Sequence, residues 1–311
     1  MKKLLFVLII FFASAAAVEA QQIYQLTQYM LNDFAYNPAV AGKGGQLIDA
    51  KITYRKQWAG GFDGDEPSTF LLGGHTSLNE AKSVGVGVLI YADKTGPTRR
   101  TGVELAYAYH LPFNNSEQHL SFGIGANILN YGIDFNKLNL SEAGDPAVAS
   151  NTDAKTTIDF NFGTYFYSAN YWLGLSINNL AGRSISLSDE AENNEGTIEL
   201  ARHLFISGGY QFDIAEDFAL EPSVLFKSAA ESQFDINLRG IYQEQYWAGL
   251  SVRPKDAIAI LVGVALNNGF NAAYSYDITT SGLNAVSNGS HEICIGYKFG
   301  WGVTNDVPAA F

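Results

Sequence analysis

Cysteine is nearly absent from this chain, and basic residues are scarce. The 311 residues include a single cysteine, Cys294, so no intrachain disulfide can form. Lysine and arginine number 19 against 31 aspartates and glutamates, which gives a formal net charge of −12. A chain this acidic is not expected to bind nucleic acid, because it would repel the phosphate backbone. The composition therefore excludes an intrachain disulfide framework and argues against a nucleic-acid partner.

Long hydrophobic runs are also missing beyond the N-terminus. After residue 20 the chain has no run of about 18 or more apolar residues, so the sequence predicts no membrane-spanning helix. Residues 1–20 are predicted to be a signal peptide, with basic residues first, an apolar core from Leu4 to Phe12 and small residues ending at Ala20. The chain is thus predicted to be exported.

What the chain has instead is repeated alternation of apolar and polar side chains. In residues 232–242, Phe234 and Ile236 share one parity, while Gln233 and Asp235 lie on the other. Successive side chains of a strand point to opposite faces, so such runs predict strands with one apolar face and one small or polar face. No segment with helical periodicity interrupts the last of these runs, which predict an up-and-down antiparallel meander. The fourteen predicted strands are 50–58, 68–78, 83–92, 99–111, 118–130, 156–168, 170–178, 201–213, 218–228, 232–242, 246–253, 257–266, 270–278 and 290–301.

The apolar faces of these strands could meet lipid or a soluble core. Aromatic side chains lie toward the strand ends on the apolar parity, whereas glycine, alanine and single charges occupy the other parity. This distribution is typical of a transmembrane barrel, with apolar side chains toward lipid and polar ones toward the lumen. Periodicity alone also allows a soluble sandwich of roughly eight to ten strands.

The lengths of the joints between strands favour the barrel. Every joint after an even-numbered strand is short, although three joints after odd-numbered strands are short as well. Long loops on one rim and tight turns on the other form the outer-membrane pattern, with both termini periplasmic. The predicted fold is an all-β transmembrane antiparallel barrel of about fourteen strands over 50–301, followed by a periplasmic tail, 302–311. The long joints follow odd-numbered strands, at 59–67, 131–155, 179–200 and 279–289.

Residues 21–49, ahead of the first predicted strand, do not alternate. Gln28 and Tyr29 lie in an aromatic-rich stretch, and Asn37 precedes Pro38, which favours an extended or turn backbone. The segment is predicted either to fold into the lumen as a plug or to dock a periplasmic partner. A disordered leader is the remaining alternative, which the aromatic content disfavours.

Two features of the predicted strands need a local explanation. Pro222 lies inside strand 218–228, where proline cannot donate to a ladder, so a bulge or a strand end is predicted there. Glycines recur on the inward parity, which indicates close approach by something in the lumen or relief of barrel curvature. These inward glycines are Gly85, Gly87, Gly123, Gly125 and Gly163.

Candidate catalytic and metal-binding residues are few. Four histidines, His75, His110, His119 and His203, lie on the polar parity of four different strands. A hydrolase would need a Ser–His pair braced by a third group, and His75 with Ser77 lacks a visible third member. We therefore predict isolated lumen histidines and no enzyme.

Metal and cofactor motifs are also missing. No HExxH, CxxC, P-loop or dinucleotide pattern follows a strand in the right context, and no cofactor is predicted. The cluster Asp189, Glu190, Glu192 and Glu195 could hold Ca²⁺ through carboxylates, but it lacks the ligand spacing and internal glycine of an EF-hand loop. A solvated loop is the simpler interpretation of this cluster.

Motifs spread along the chain resemble the PorP/SprF family, which comprises outer-membrane proteins of Bacteroidota linked to type IX secretion and gliding motility. The resemblance covers essentially the whole exported chain, because the motifs occur in the same order. In the N-terminal part they are Gln28-Tyr29-Met30, Tyr36-Asn37-Pro38-Ala39, Ala41-Gly42, Tyr54-Arg55 and Gln57-Trp58. In the C-terminal part they are Glu221-Pro222-Ser223-Val224, Trp247-Ala248-Gly249-Leu250-Ser251 with Arg253, Asp256-Ala257-Ile258, Tyr274-Ser275-Tyr276-Asp277, and Ser281-Gly282 leading to Gly289-Ser290-His291-Glu292.

The resemblance implies a non-enzymatic accessory role in the outer membrane. Family members are expected to retain the C-terminal domain of a secreted surface adhesin, and some are expected to associate with periplasmic parts of the secretion machine. The acidic cluster at 189–195 is the predicted partner site, because complementary charge steers docking. A passive or ligand-specific channel of the porin or FadL-like kind is the alternative function. A barrel of this size is wider than the roughly eight-stranded barrels that side chains alone can fill.

Overall fold

A computed structural model describes residues 23–62, 64–113, 118–137, 152–186, 197–229 and 231–300 of the chain. Strands dominate the described residues, and the few helical turns are short. The strands are β1 (Ile48–Lys56), β2 (Ser68–Ser77), β3 (Val84–Thr95), β4 (Thr98–Phe113), β5 (Gln118–Asp134), β6 (Thr152–Tyr167), β7 (Tyr171–Asn178), β8 (Ser184–Ser186), β9 (Thr197–Glu199), β10 (His203–Tyr210), β11 (Phe212–Ala215), β12 (Phe218–Ser228), β13 (Ser232–Tyr242), β14 (Tyr246–Arg253), β15 (Ala257–Ala265), β16 (Phe270–Thr279) and β17 (Ser290–Phe299).

Fifteen of these strands form one antiparallel sheet that closes on itself. The last strand, β17, pairs with β1 from Ile48 opposite Phe299 to Lys56 opposite His291. On the far side of the ring, β10 pairs with both β7 and β12. Since only Gln211 separates β10 from β11, these two occupy one position, and the ring has fourteen positions. The predicted fourteen-stranded antiparallel barrel is confirmed.

Alternate residues of each strand face outward and inward, and the apolar set is the outward one. On β1, Ile52 and Tyr54 are 46% and 48% exposed, whereas Thr53 and Arg55 are 1% and 2% exposed. The reversal of the usual soluble pattern is general, since apolar side chains line the outer face and most charged ones point into the barrel. Such an exterior requires lipid, because contiguous apolar patches of this extent are rare on soluble monomers.

The two rims of the barrel differ in the lengths of their connections. One rim, called here the short-turn rim, carries connections such as 168–170, 216–217 and 243–245. The opposite long-loop rim carries 57–67, 135–151, 179–202 and 280–289 together with three short connections. The separate β8–β9 hairpin belongs to the long-loop rim, and the sequence had not predicted it.

The helical turns of the described residues are brief. Among these residues, no helix has the length and hydrophobicity needed to cross a bilayer. Asp33–Tyr36 is a four-residue α-helix. The 3₁₀ turns are Tyr29–Leu31, Pro38–Val40, Phe135–Lys137 and Gly282–Ala285.

Pro222 is accommodated by a gap in the neighbouring strand. It lies within β12 and pairs with Leu238 of β13. On its other side the β10–β12 ladder ends at Gly209 opposite Ser223, and the β11–β12 ladder begins at Phe212. The missing proline N–H thus falls where the partner strand is interrupted, as the sequence required.

Several predicted segments lie outside the described residues. They are the signal peptide at 1–20, the tail at 302–311 and the acidic cluster Asp189, Glu190, Glu192 and Glu195.

Candidate functional site in the barrel lumen

Residues 23–45, here called the plug, pass through the lumen from the long-loop rim to the short-turn rim. Strand β3 contacts both ends of this path. Near its long-loop end, Tyr91 packs against Tyr24 with ring centroids 5.9 Å apart. Near its short-turn end, Gly85 lies against Ala41 and Gly42. The plug is almost wholly buried, and Leu26, Gln28, Ala39 and Ala41 are inaccessible to solvent.

The long-loop half of the plug is held by buried charges of the barrel wall. The carboxylate of Glu292 accepts the backbone N–H groups of Thr27 and Gln28 at 2.8 and 2.9 Å. The Thr27 hydroxyl donates to Asp277 at 2.6 Å and accepts from Arg55 at 2.9 Å. Arg55 also pairs with Asp277 at 2.8 Å and with Glu292 at 3.2 Å. Buried charges are tolerated only when paired and hydrogen-bonded, so the plug completes this network.

A second arginine extends the same cluster. Arg253 binds Asp235 through two nitrogens, at 3.0 and 3.2 Å, and lies 3.6 Å from Asp277. With Arg55 and Glu292 included, the cluster sets two arginines against three buried carboxylates, and the partly exposed Asp256 also lies 3.1 Å from Arg253. The backbone N–H groups of Thr27 and Gln28 donate further hydrogen bonds to the Glu292 carboxylate, beside the one it accepts from Arg55.

The short-turn half of the plug is held by uncharged side chains that bind its backbone. Ser121 donates to the carbonyl of Ala39, and Ser176 donates to the carbonyl of Tyr36, each at 2.7 Å. In the other direction, the Asn37 amide donates to the wall carbonyl of Thr164 at 3.0 Å. Polar groups of the plug backbone are thereby satisfied although the segment lacks a sheet partner.

Inward glycines let the plug approach the wall. A Cβ on Gly123 would lie 2.3 Å from the Ala39 nitrogen, and a Cβ on Gly163 would lie 1.9 Å from Asn37 Oδ1. Gly85 and Gly87 likewise face Ala41 and Phe34 of the plug. Of the two alternatives left by the sequence, close approach therefore explains these four positions. The fifth, Gly125, faces the Glu104 side chain instead.

The four plug residues singled out from the sequence all lie in these contacts. The Gln28 side chain donates to the Glu292 carbonyl at 3.0 Å, and the Tyr29 hydroxyl lies 3.0 Å from Ser223 Oγ. Asn37 binds wall carbonyls, and Pro38 packs against Gly123 and Gly163. The four acidic residues at 189–195 lie outside the described residues.

Sequence reasoning missed the charged wall residues that form hydrogen bonds with the plug. Arg55, Asp277 and Glu292 were noted only as parts of family-like motifs, and Thr27 was not noted at all. Their signal was present, because each of the three charges lies on the inward parity of a strand whose outward parity is mainly apolar. A charge in that position needs a partner inside the barrel.

Two of the four inward histidines bind the plug backbone. His110 Nε2 lies 2.7 Å from the Ala41 carbonyl, and His75 Nδ1 accepts the Gly42 N–H at 3.3 Å. The hydroxyl of Ser77 donates to backbone carbonyls of its own turn rather than pairing with His75. Within the described ranges, no group of three or more histidine, cysteine, aspartate or glutamate side chains is arranged to hold a metal ion.

One large cavity remains beside the plug at the short-turn rim. It encloses about 660 Å³ between the plug and the wall strands β6, β7, β11, β12 and β13. Its inner lining contains two ion pairs, Lys43 with Asp33 at 2.9 Å and Arg239 with Glu221 at 3.0 Å. Lys43 and Asp33 thus form an ion pair at the cavity floor.

Comparisons with known proteins agree with a barrel that faces lipid. The family model for the type IX secretion system membrane protein PorP/SprF matches residues 18–297. The chain belongs to the PorP/SprF family. It is therefore a membrane protein of type IX secretion, and its barrel lies in the outer membrane. In a sequence search no curated protein matches it.

Solved structures similar to this PorP/SprF protein are outer-membrane barrels. A FadL homologue from Pseudomonas aeruginosa is 10% identical, with a TM-score of 0.47, over 81% of this chain and 90% of that one. Omp33 from Acinetobacter baumannii is 8% identical, with a TM-score of 0.43, over 83% and 100%. A mutant of the monoaromatic hydrocarbon channel TodX is 8% identical, with a TM-score of 0.44, over 82% and 89%. Likenesses this distant carry no argument about function.

Proposed function

We propose that this PorP/SprF protein is a closed, non-enzymatic scaffold that retains a secreted surface adhesin through the adhesin's C-terminal domain. The observation that carries the proposal is the plug. A scaffold needs a stable barrel and an exposed rim, whereas a channel needs a continuous path. Residues 23–45 cross the lumen and are bound to the wall near both of its rims.

The long-loop rim is the proposed docking surface for the adhesin. Long loops of outer-membrane barrels face the cell exterior, so this rim is the one that a surface protein meets. The described carboxylates of this rim are partly neutralised, since Asp65 pairs with Lys94 and Glu66 pairs with Lys56. The segment 187–196 therefore supplies the acidic patch of this proposal, formed by Asp189, Glu190, Glu192 and Glu195.

An adhesin domain retained there presents lysine or arginine, or bridges to the patch through Ca²⁺. Exposed charges tune the association rate and its salt dependence more than the final affinity, so single substitutions should matter little. Replacing all four carboxylates by Asn or Gln should weaken retention of the adhesin while the barrel still assembles. The measurement is surface staining of the adhesin on whole cells beside the amount released into the medium.

A matched control separates local charge from general surface charge. Four exposed carboxylates of the short-turn rim, Asp213, Glu216, Asp217 and Glu244, can be neutralised in the same way. That variant should keep its adhesin on the cell. Retention by the 189–195 variant at both ordinary and raised salt would contradict docking at this patch.

A channel is the second candidate function, and the 660 Å³ cavity at the short-turn rim is the observation that favours it. Met30, Asp33 and Lys43 of the plug border the cavity, so conduction through the lumen would require the plug to leave its contacts. Adhesin retention without measurable conductance supports the scaffold. Stable conductance of the parent protein supports the channel if the variant without the carboxylates of Asp189, Glu190, Glu192 and Glu195 also retains its adhesin normally.

A further inference from the structure

One strand of the barrel has a free edge. Strand β11 is hydrogen-bonded to β12 on one side, and within the described part of the chain no strand pairs with its other side. The neighbour on that side, β7, begins only at Tyr171, opposite Tyr210 of β10. The hairpin of β11 and β12 therefore projects past the 168–170 turn at the short-turn rim. Exposed strand edges are templates for pairing with another extended segment.

Alternate backbone groups of β11 point toward the open side. The last bond across this gap is donated by the Gln211 N–H to the Asn170 carbonyl at 2.7 Å. Because backbone direction alternates along a strand, the N–H and C=O of Asp213 point the same way as those of Gln211. Strand β11 can thus offer main-chain donors and acceptors to an added strand. All four of its residues are exposed.

The 660 Å³ cavity beside this edge has aromatic walls. Tyr165, Tyr167, Trp172 and Phe218 line it together with residues of β11. In strand addition, main-chain bonds give affinity, and pockets for alternate side chains give specificity. The cavity is the only such pocket adjoining the edge in the described ranges, and it is large enough for two or more side chains.

The rim around the cavity is acidic. Asp213, Glu216, Asp217 and Glu244 line the mouth, and all four are exposed. None of them forms an ion pair among the residues that the structure describes. The cavity's two cations are already paired, Lys43 with Asp33 and Arg239 with Glu221. The mouth therefore presents uncompensated negative charge to whatever approaches the edge of β11.

We propose that the edge of β11 and the adjoining cavity bind an extended segment of a periplasmic partner that carries lysine or arginine beside apolar or aromatic residues. The segment adds to the sheet as a strand on β11. Its apolar side chains enter the cavity, and its cations meet the acidic mouth. The periplasmic side follows from the short turns of this rim. The site is independent of adhesin retention on the opposite rim.

The chain's own C-terminal segment fits this site poorly. Residues 301–311 contain Asp306 and no lysine or arginine. Like charge beside the four carboxylates would oppose docking. A cationic partner segment matches both the charge and the open backbone.

The test uses the full chain in lipid nanodiscs and a defined probe. The probe is a fluorescent octapeptide of alternating lysine and valine with a central tyrosine, compared with the same peptide carrying glutamate for lysine. We expect the lysine peptide to bind at least tenfold tighter by anisotropy. Its binding should slow amide hydrogen exchange in 211–215. Neutralising Asp213, Glu216, Asp217 and Glu244 together should weaken binding about tenfold and remove most of its salt dependence.

A pair of variants at one position separates strand addition from charge. Asp213→Asn keeps the outward N–H, whereas Asp213→Pro removes it, and proline is tolerated on an edge strand. The proline variant should bind about fivefold more weakly than the asparagine variant, as expected for one lost main-chain hydrogen bond. Equal binding by both variants, with unchanged exchange in 211–215, would overturn the proposal. Tenfold tighter binding after deletion of 302–311 would also overturn it, by assigning the edge to the chain's own tail.

Discussion

Glu292 and Thr27 are joined by a hydrogen bond of 2.8 Å across 265 residues of sequence. The donor is a backbone N–H of the plug, and the acceptor is a carboxylate on the last barrel strand. The same oxygen of Glu292 accepts from Arg55 of the first strand at 3.2 Å. One carboxylate thus links the plug to β1 and β17, the two strands whose pairing closes the barrel. The same side chain therefore supports both that strand pairing and the position of the plug in the lumen.

Removal of the Glu292 carboxylate should destabilise the barrel strongly. Glu292→Ala leaves Arg55 without one partner and two plug N–H groups without acceptors, which costs about 3–5 kcal/mol for a buried pair. Glu292→Gln keeps one acceptor oxygen and should cost less. The measurement is the urea midpoint of intrinsic fluorescence in detergent. Glu80→Gln, at an exposed turn, is the control and should stay within about 0.5 kcal/mol of the parent. Equal urea midpoints for Glu292→Ala and Glu80→Gln would contradict a stabilising role of the Glu292 carboxylate.

A methyl group at Gly123 should push the plug away from the wall. The added Cβ would lie 2.3 Å from the Ala39 nitrogen, and overpacking of this kind costs about 1–3 kcal/mol. Gly123→Ala should therefore speed trypsin cleavage after Lys43 of the plug. Gly74→Ala is the matched control, because its Cβ would meet only the Asp49 carbonyl at 3.8 Å. Faster cleavage in both variants, or in neither, would count against close packing at Gly123.

Labelling from outside the cell should distinguish the two rims. Cys294 is 1% exposed, so the native cysteine should not react and single new cysteines can be scored directly. Asn284→Cys on the long-loop rim should react with an impermeant maleimide on intact cells, and Glu216→Cys on the short-turn rim should not. Epitope tags at 140–150 and 189–195 should be reachable as well. Reaction of Glu216→Cys but not of Asn284→Cys on intact cells would contradict the assigned orientation.

The long loop after β1 is tied to the loop after β5 by a carboxylate that should stay charged in mild acid. Hydrogen bonds from Lys137 and Lys94 lower the pKa of Asp65 to about 2. A depressed carboxyl pKa stabilises the tie above the unfolded value near 4, and this stabilisation is lost as pH falls toward about 2. The protection of residues 57–67 against hydrogen exchange, relative to the intrinsic rate at each pH, should therefore be equal at pH 7 and pH 5. In Asp65→Asn exchange should already be fast at pH 7. Loosening of the parent loop at pH 5 would disprove this tie.

The strand content of the fold was predictable because lipid and lumen impose a strict two-residue period. Every predicted strand has a counterpart, including the interrupted one opposite Pro222. The ends were less predictable, since β5 runs on to Asp134 and β6 begins at Thr152, beyond the predicted 118–130 and 156–168. Outside the bilayer the apolar alternation lapses while backbone pairing continues, so sequence periodicity underestimates strand length.

The plug contacts could be predicted only in part. Aromatic content marked Gln28 and Tyr29 as part of an ordered segment, but it did not fix the partners of that segment. Thr27 gives no sequence signal, because a single threonine, here between Leu26 and Gln28, is common in any loop. Contacts such as Thr27 with Asp277 depend on which strands close the ring, which a single sequence does not specify.

The central claim is that residues 23–45 close the lumen, and single-channel recording in planar bilayers tests it most directly. The full chain should insert without a stable open step. A variant lacking 23–45, folded into a heat-modifiable barrel, should open long-lived steps, because a fourteen-position ring without its plug is too wide for side chains alone to fill. Stable open steps from the full chain, equal to those of the deletion variant, would contradict the account.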